Sequence, residues 1–507
     1  MNSRKFYITT AIPYVNAAPH IGHALEFIQA DAIARHRKVN GYDVFLTTGA
    51  DENSLKTVQA AEKLGISTNQ LIDRNAQAFR EMAEKVGLEY DAFARSSIKE
   101  EHWAGVEKIW NLCNKSGDIY KKSYKGLYCV GCEQFYTEKE LENGLCPEHK
   151  TRPELVEEEN YFFRLSKYQK QIEDLIVSGK LKIIPDNRKN EVLTFIREGL
   201  EDFSVSRSVK RAKGWGVPVP GDLSQIIYVW FDALGLYLTG VGYGKDDAKF
   251  AKWWPADIHV IGKGIIKFHA LYWPGILLSA GIAMPKAILV HGYVTAEGQK
   301  MSKSIGNIVD PIAVVDKYGA DKIRYYLLKE IQTFEDGDFS EKALIESINN
   351  ELVGNIGNFI HRTLTFVWAK FGGTVKSFEL SPEERVFIKN ISAKVAEVDG
   401  LLGENKLREG MLKILEIGND ANRYFQANAP WELIKSDKEK AERVMFVCTN
   451  VCRIISGLLY PYTPESSRKL LEIQNEKPMP FERLLELKDA KINEPYIVFD
   501  KIQVEVV

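Results

Sequence analysis

Lys5-Phe6-Tyr7-Ile8-Thr9-Thr10, followed by Ala11-Ile12-Pro13-Tyr14, then His20-Ile21-Gly22-His23 and a periodic run closed by Asn40-Gly41, decides the fold. Phe6, Tyr7 and Ile8 ahead of a proline turn read as a buried strand. From His20 the pattern turns helical: Leu25, Ile28, Ala32 and Arg35 keep helical spacing, with Phe27 and Ala34 alongside. Asn40-Gly41 is a stop signal before a second strand at 44–47. Strand, turn, helix and strand of this length predict the start of a doubly wound parallel sheet.

Outward from there, residues 119–214 break the rhythm with a cysteine-rich turn region and a charged helical passage at 168–179, and read as an insertion between two halves of one sheet. Apolar strand candidates return at 226–229, 258–261 and 287–290, where the parallel sheet is expected to resume. The stretch 310–339 reads as a loop-rich link. Helical patterns at 344–366, 382–402, 406–426 and 438–460 then predict an all-α bundle. The polar end, 477–507, is either a docked strand or a free end.

A chain of 507 residues exceeds what one core usually supports, so two to four domains are expected. No apolar run is long enough for a bilayer and no signal-peptide pattern follows Met1, which predicts a soluble, cytoplasmic protein without a membrane partner. The net charge of -2 does not by itself predict an RNA partner. Six cysteines are too sparse for a disulfide scaffold, and three of them cluster within 129–146.

Two motifs carry the chemistry. His20-Ile21-Gly22-His23 lies where strand gives way to helix, so backbone N–H groups can meet a polyphosphate, Gly22 allows close approach, and His20 and His23 can donate. Lys300-Met301-Ser302-Lys303-Ser304, between Glu297-Gly298-Gln299 and Gly306-Asn307, reads as a loop carrying two ammonium groups. Attack on the α-phosphate of ATP needs charge stabilisation on the phosphoryl oxygens and departing pyrophosphate, and strictly requires no acid or base. His20, His23, Lys300 and Lys303 are therefore the catalytic candidates, with Gly22, Met301 and Ser302 completing the ATP contacts and Lys303 the first choice. Each motif alone could equally be a helix cap with a core histidine, or a solvated lysine loop; their joint occurrence around a sheet favours a shared nucleotide site.

Cys129-Val130-Gly131-Cys132 and Cys146-Pro147-Glu148-His149 have the spacing of a tetrahedral zinc knuckle, which makes Cys129, Cys132, Cys146 and His149 ligands of one structural Zn2+. The same donors could hold iron, and free cysteines with a surface histidine are the plainer alternative. Cys448 and Cys452, four apart on a helix without further ligands, read as core residues.

The two signature motifs resemble those of class I aminoacyl-tRNA synthetases. The resemblance runs from about residue 6 to about residue 462 and is nearest to the methionyl enzymes. It includes Ala11-Ile12-Pro13-Tyr14, Tyr228-Val229-Trp230-Phe231-Asp232-Ala233, Phe268-His269-Ala270-Leu271-Tyr272-Trp273-Pro274 and His291-Gly292-Tyr293-Val294. It implies an α/β chain: a Rossmann-like catalytic domain in two halves (1–118 and 223–295) around a knuckle-bearing connective insertion (119–222). A stem-contact region (296–343), a helical anticodon-binding domain (344–475) and a tail (476–507) follow. The implied reaction is activation of L-methionine by ATP with Mg2+ to methionyl-adenylate, then transfer to tRNA(Met); no appended C-terminal dimerisation domain is visible in the sequence, so a monomer is expected.

The resemblance also puts Ile12, Tyr14, Trp230, Ala233, Tyr237 and His269 in the methionine pocket and Asp51 against the ammonium group, whereas from the letters alone the aromatics and His269 are ordinary core residues. It assigns Asn358, Arg362, Pro430 and Trp431 to the anticodon, in place of solvated and packing roles. Two departures stand out: Gly264 where the family commonly has aspartate, and Asn53-Ser54 in place of a His-Gly pair. Competing readings are a cysteinyl enzyme, which would need a metal ligand near Ile12 or Trp230, an isoleucyl or valyl enzyme with a larger insertion, and a noncatalytic RNA-binding or assembly protein that kept the fold.

Overall fold

The structure, a computed structural model, describes residues 4–131, 134–147, 150–300 and 307–503. Its centre is a six-stranded sheet of β1 (Lys5–Thr9), β2 (Asp43–Ala50), β3 (Ala92–Arg95), β4 (Lys182–Ile184), β5 (Ile258–Gly262) and β6 (Ala287–His291). The strands are all parallel, in the order β3-β2-β1-β5-β6-β4. Ile8 pairs with Leu46 on one side and with Ile258 on the other, so the strand order reverses beside β1. In such sheets the crevice beyond the carboxyl ends at that reversal is where ligands bind. The interior strands are nearly continuous apolar runs, with Ile8, Val260, Ile261, Leu289 and Val290 fully buried, as expected where both faces are covered.

The helix Ile21–Val39 follows β1 and is buried almost all round. Its buried charged side chains Glu26, Asp31 and Arg35 are paired. Asp31 accepts from Arg35 Nε at 2.6 Å and from Arg324 Nη2 at 2.7 Å. Arg324, wholly buried, also donates to the carbonyls of Val86, Pro461 and Tyr462, tying this helix to the far end of the chain.

Three expectations need amending. The candidate strand at 226–229 does not join the parallel sheet: Asp222–Ile227 is antiparallel to Ser206–Ser208 and Pro218–Val219 in a separate sheet, and Val229 opens the helix Val229–Thr239. The run is flanked on both edges by strands close to it in sequence, so its ladder is satisfied locally. The segment read as an insertion builds an antiparallel sheet from Ile119–Cys129, Gln134–Tyr136, Glu154–Phe163 and Phe203–Ser204, yet it also sends β4 back to the edge of the parallel sheet. The link at 310–339 is mostly helical, Pro311–Tyr318 and Ala320–Lys329. Asp310 caps the first helix from its side chain, and Gly319 at φ +88° separates the two. The Asp-Pro and Gly signals marked helix ends rather than loop.

The carboxyl-terminal half is a bundle of Asn358–Phe371, Pro382–Gly403, Leu407–Asn428, Lys438–Leu458 and Pro464–Ile473, entered through Glu341–Ser347 and a π-helical Ile348–Gly357. Cys448 and Cys452 are core residues here, their thiol pKa values pushed up by burial. The tail is docked: Ala490–Lys491 pairs with Thr374–Val375, and the Asn349 side chain exchanges hydrogen bonds of 3.0 and 2.8 Å with the backbone of Ile502. Among the described residues, no helix is long and apolar enough to cross a membrane.

Candidate active site

His20 caps the helix Ile21–Val39, its Nδ1 accepting the N–H of Gly22 at 3.1 Å, while His23 Nδ1 accepts the N–H of His20 at 3.2 Å. The rings lie 3.9 Å apart between centroids. Burial lowers the pKa of both, and His20 and His291 lower that of His23 further. With Nδ1 accepting in each neutral ring, Nε2–H is left as the donor. Gly22 has a local reason as well: a Cβ there would sit 3.0 Å from His20 Cε1. The cap reading and the phosphate reading thus describe the same arrangement.

One turn on, Glu26 Oε1 accepts the N–H of Ala11 at 2.8 Å and Glu26 Oε2 lies 2.9 Å from His291 Nε2. That pair joins the helix to the carboxyl end of β6, from which Val294–Ala296 and Gln299–Lys300 leave as a hairpin. Lys300 is paired with Thr295 there, so the lysine-rich motif begins on the carboxyl-end side of the sheet, as the histidines do. Met301, Ser302 and Lys303 lie outside the described residues. Glu26 was not singled out from sequence; its only signal was a carboxylate in the first turns of the helix.

The residues expected around the amino acid gather near the ends of β1, β2 and β5. Tyr14 and Asp51 form a parallel bridge, with Asp51 N–H donating to Pro13 O at 2.8 Å. Tyr14 meets Trp230 edge-on at 6.0 Å, and Trp230 stacks on Phe268 at 3.7 Å with 4° between planes. Phe268, quoted in a matching stretch but given no role, therefore belongs to the same wall. The Tyr237 hydroxyl is 2.7 Å from His269 Nε2, and His269 Nδ1 lies 2.9 Å from Ile265 O. The carbonyl fixes the proton on Nδ1, so Nε2 accepts from the phenol. Burial brings His269 down to a pKa of about 4 and keeps Tyr237 protonated far above its usual range. Ala233 is buried on the Trp230 helix, and Ile12 packs against the same cluster.

Both departures have structural counterparts. A Cβ at Gly264 would lie 2.1 Å from Tyr293 Oη, so a side chain at 264 and Tyr293 in its present place exclude one another. Asn53 is buried and hydrogen-bonded to Asp232.

Of the knuckle residues, Cys129 at the end of its strand and Cys146 in the following turn are buried with Tyr136 in one small cluster; Cys132 and His149 lie outside the described residues. In the bundle, the Arg362 guanidinium lies 4.9 Å from the Phe425 centroid and 5.7 Å from that of Trp431, and Pro430, next to Trp431 in the chain, is buried. Asn358, a turn earlier, lines a cavity of about 430 Å³ against the docked tail. Ala429, ahead of Pro430, sits at φ +36°, left-handed backbone that a non-glycine residue adopts at a cost of about 1 kcal/mol or more.

A parallel sheet whose strand order reverses beside β1, with a histidine-capped helix and the hairpin that starts the lysine-rich motif both at its carboxyl-end side, is the arrangement expected of a class I tRNA synthetase. The family model described as tRNA synthetases class I (M) matches residues 6–153 and 139–364, and that of the anticodon binding domain of methionyl tRNA ligase matches 376–506. Curated relatives include methionine–tRNA ligases of Brucella suis, 40% identical over 93% of this chain and 92% of that protein, and of Mycobacterium leprae, 41% identical over 94% and 90%. The Mycobacterium tuberculosis methionyl-tRNA synthetase in complex with methionyl-adenylate superposes with a TM-score of 0.94 at 38% identity, over 98% of this chain and 99% of that one. Its apo form gives 0.88 at 35% identity, over 99% of both. The chain belongs to the methionyl-tRNA synthetase family.

Proposed function

We propose that the protein activates L-methionine with ATP, releasing pyrophosphate, and transfers the methionyl group to the 3′ end of tRNA(Met), as a monomer in the cytoplasm. The observation that carries this is the neutral His20–His23 pair capping the helix after β1, with Tyr14 of the segment leading into that helix bridged to Asp51 and edge-on to Trp230. The Nε2–H donors and the helix N-terminus engage the phosphates, and their contacts strengthen as charge builds on the α-phosphoryl oxygens and pyrophosphate departs. Lys300 and Lys303 close on the same phosphates, and Mg2+ accompanies ATP. Asp51 takes the α-ammonium group, while Trp230, Tyr14, Phe268 and Ala233 surround the thioether, for which aromatic contact is favourable. His269, locked neutral by Ile265 O and Tyr237, adds a polar wall without a charge.

Cys129, Cys132, Cys146 and His149 hold one structural zinc; the burial of Cys129 and Cys146 side by side in one cluster suits thiolate ligands withdrawn from solvent. Arg362 and Trp431 read the anticodon by stacking, with Asn358 and Pro430 shaping the site. The direct test is ATP–pyrophosphate exchange with each amino acid separately. Methionine alone should support it, with homocysteine the nearest competitor, and exchange with no amino acid would overturn the reading.

A further inference from the structure

The turn after β2 carries Asp51, and the helix Val229–Thr239 carries Trp230, Ala233 and Tyr237. These are the two sides of the amino-acid pocket, and a buried polar chain joins them. Asn53, 7% exposed, donates its main-chain N–H to Asp51 Oδ1 at 3.3 Å. Its side-chain amide donates to Ser96 O at 2.9 Å and to Asp232 Oδ2 at 2.8 Å. Asp232 has no exposed surface and stands between Trp230 and Ala233 in sequence. Its other oxygen, Oδ1, lies 2.7 Å from His102 Nε2, and His102 Nδ1 lies 2.8 Å from Thr239 Oγ1 at the end of the same helix.

Each member of this chain is committed. A buried carboxylate that loses a donor leaves a costly unpaired charge, so the turn and the helix cannot separate without penalty. From these contacts we infer that Asn53 and Asp232 are positioning residues which set the spacing between the ammonium subsite and the side-chain subsite. The inference rests on the methionine-activating function proposed above. Asn53 touches the ammonium subsite through Asp51 and the thioether subsite through the helix of Asp232. The His20–His23 cap lies on a different element and shares none of these bonds. Loosening the chain should therefore weaken the amino acid and spare the nucleotide.

The test compares wild type with Asn53→Ala and Asp232→Asn in methionine-dependent pyrophosphate exchange, with KM determined separately for methionine and for ATP. Misplacement of about 1 Å is worth up to about 100-fold in rate, so kcat/KM for methionine should fall about tenfold or more, with KM for methionine raised, while KM for ATP stays within about twofold. Asn53→His, which keeps a ring N–H donor for Asp232, should recover most of the methionine KM. If the alanine variant does not fold, Asn53→Ser supplies the same comparison. Parallel rises in both KM values, or an unchanged methionine KM in a folded variant, would overturn the inference. A wild-type protein without methionine-dependent exchange would instead overturn the function on which it rests.

Discussion

Gly22→Ala is a sharp test of the histidine cap because its effects on stability and on catalysis should part company. The added Cβ would lie 3.0 Å from His20 Cε1 and 3.1 Å from His20 Nδ1, closer than carbon atoms settle, so the ring must move by a few tenths of an ångström or more. That lengthens the 3.1 Å bond from the residue 22 N–H to Nδ1 and swings the outward Nε2–H away from the phosphate. Losing the cap costs about 1 kcal/mol, while alanine in place of glycine within a helix returns about 1 kcal/mol. Net stability should therefore change by less than about 1 kcal/mol, and thermal unfolding should shift by only a few degrees. The loss of one aligned donor at a developing oxyanion is worth about 100-fold in rate. Methionine-dependent pyrophosphate exchange should accordingly fall by about that factor in kcat, with KM for methionine unchanged. Exchange within about threefold of wild type in the folded variant would show that the His20 ring does not serve the phosphates.

The pocket histidine makes a separate prediction about acid stability. The folded pKa of His269, about 4, lies below the roughly 6.5 of an unfolded histidine, so the unfolded chain binds the extra proton between those values. The contribution is complete above pH 6.5 and disappears as pH falls toward 4, up to about 3 kcal/mol. Denaturant titrations of wild type and His269→Gln should therefore converge as pH is lowered, and curves that stay parallel would refute it. In the bundle, Trp431→Ala should leave adenylate formation within about twofold while kcat/KM for tRNA falls by about 10- to 100-fold, from the loss of one stacked base and of the ring beside Arg362. Equal losses in both assays would contradict the anticodon assignment. Metal analysis should find one zinc per chain in wild type and little in Cys129→Ser; a full complement in the variant would dismiss Cys129 as a ligand.

What could be read from the sequence was governed by how local the cause is. The opening strand, the helix from His20, its stop at Asn40-Gly41 and the bundle helices are written in short-range periodicity and caps, and the structure has each within a few residues. The histidine cap is local too, since its donors and acceptors lie within three residues. The residues 226–229 misled because an apolar run states only that a strand is buried, not which ladder has an edge free to receive it. β4 was invisible for the converse reason: three residues at a sheet edge carry too little pattern to announce themselves from inside an insertion.

The candidate site divides along the same line. Trp230, Tyr237 and His269 came from resemblance, and Asn53 stood out only as a departure from it; the roles of Glu26 and Asn53 stayed hidden because each depends on a partner far along the chain, His291 at 265 residues and Asp232 at 179. A buried carboxylate or amide is costly unless something satisfies it. In this fold those long-range partners sit where β1, β2, β5 and β6 end, since that is where segments from both halves of the sheet first come within hydrogen-bonding reach of one another. The concentration of buried polar pairs at the carboxyl ends is therefore what the topology itself produces. It also supplies the means of holding Asp51, the helix capped by His20 and the helix of Trp230 in fixed relation, through Asn53, Glu26 and Asp232, by bonds that become expensive to break once water has been excluded.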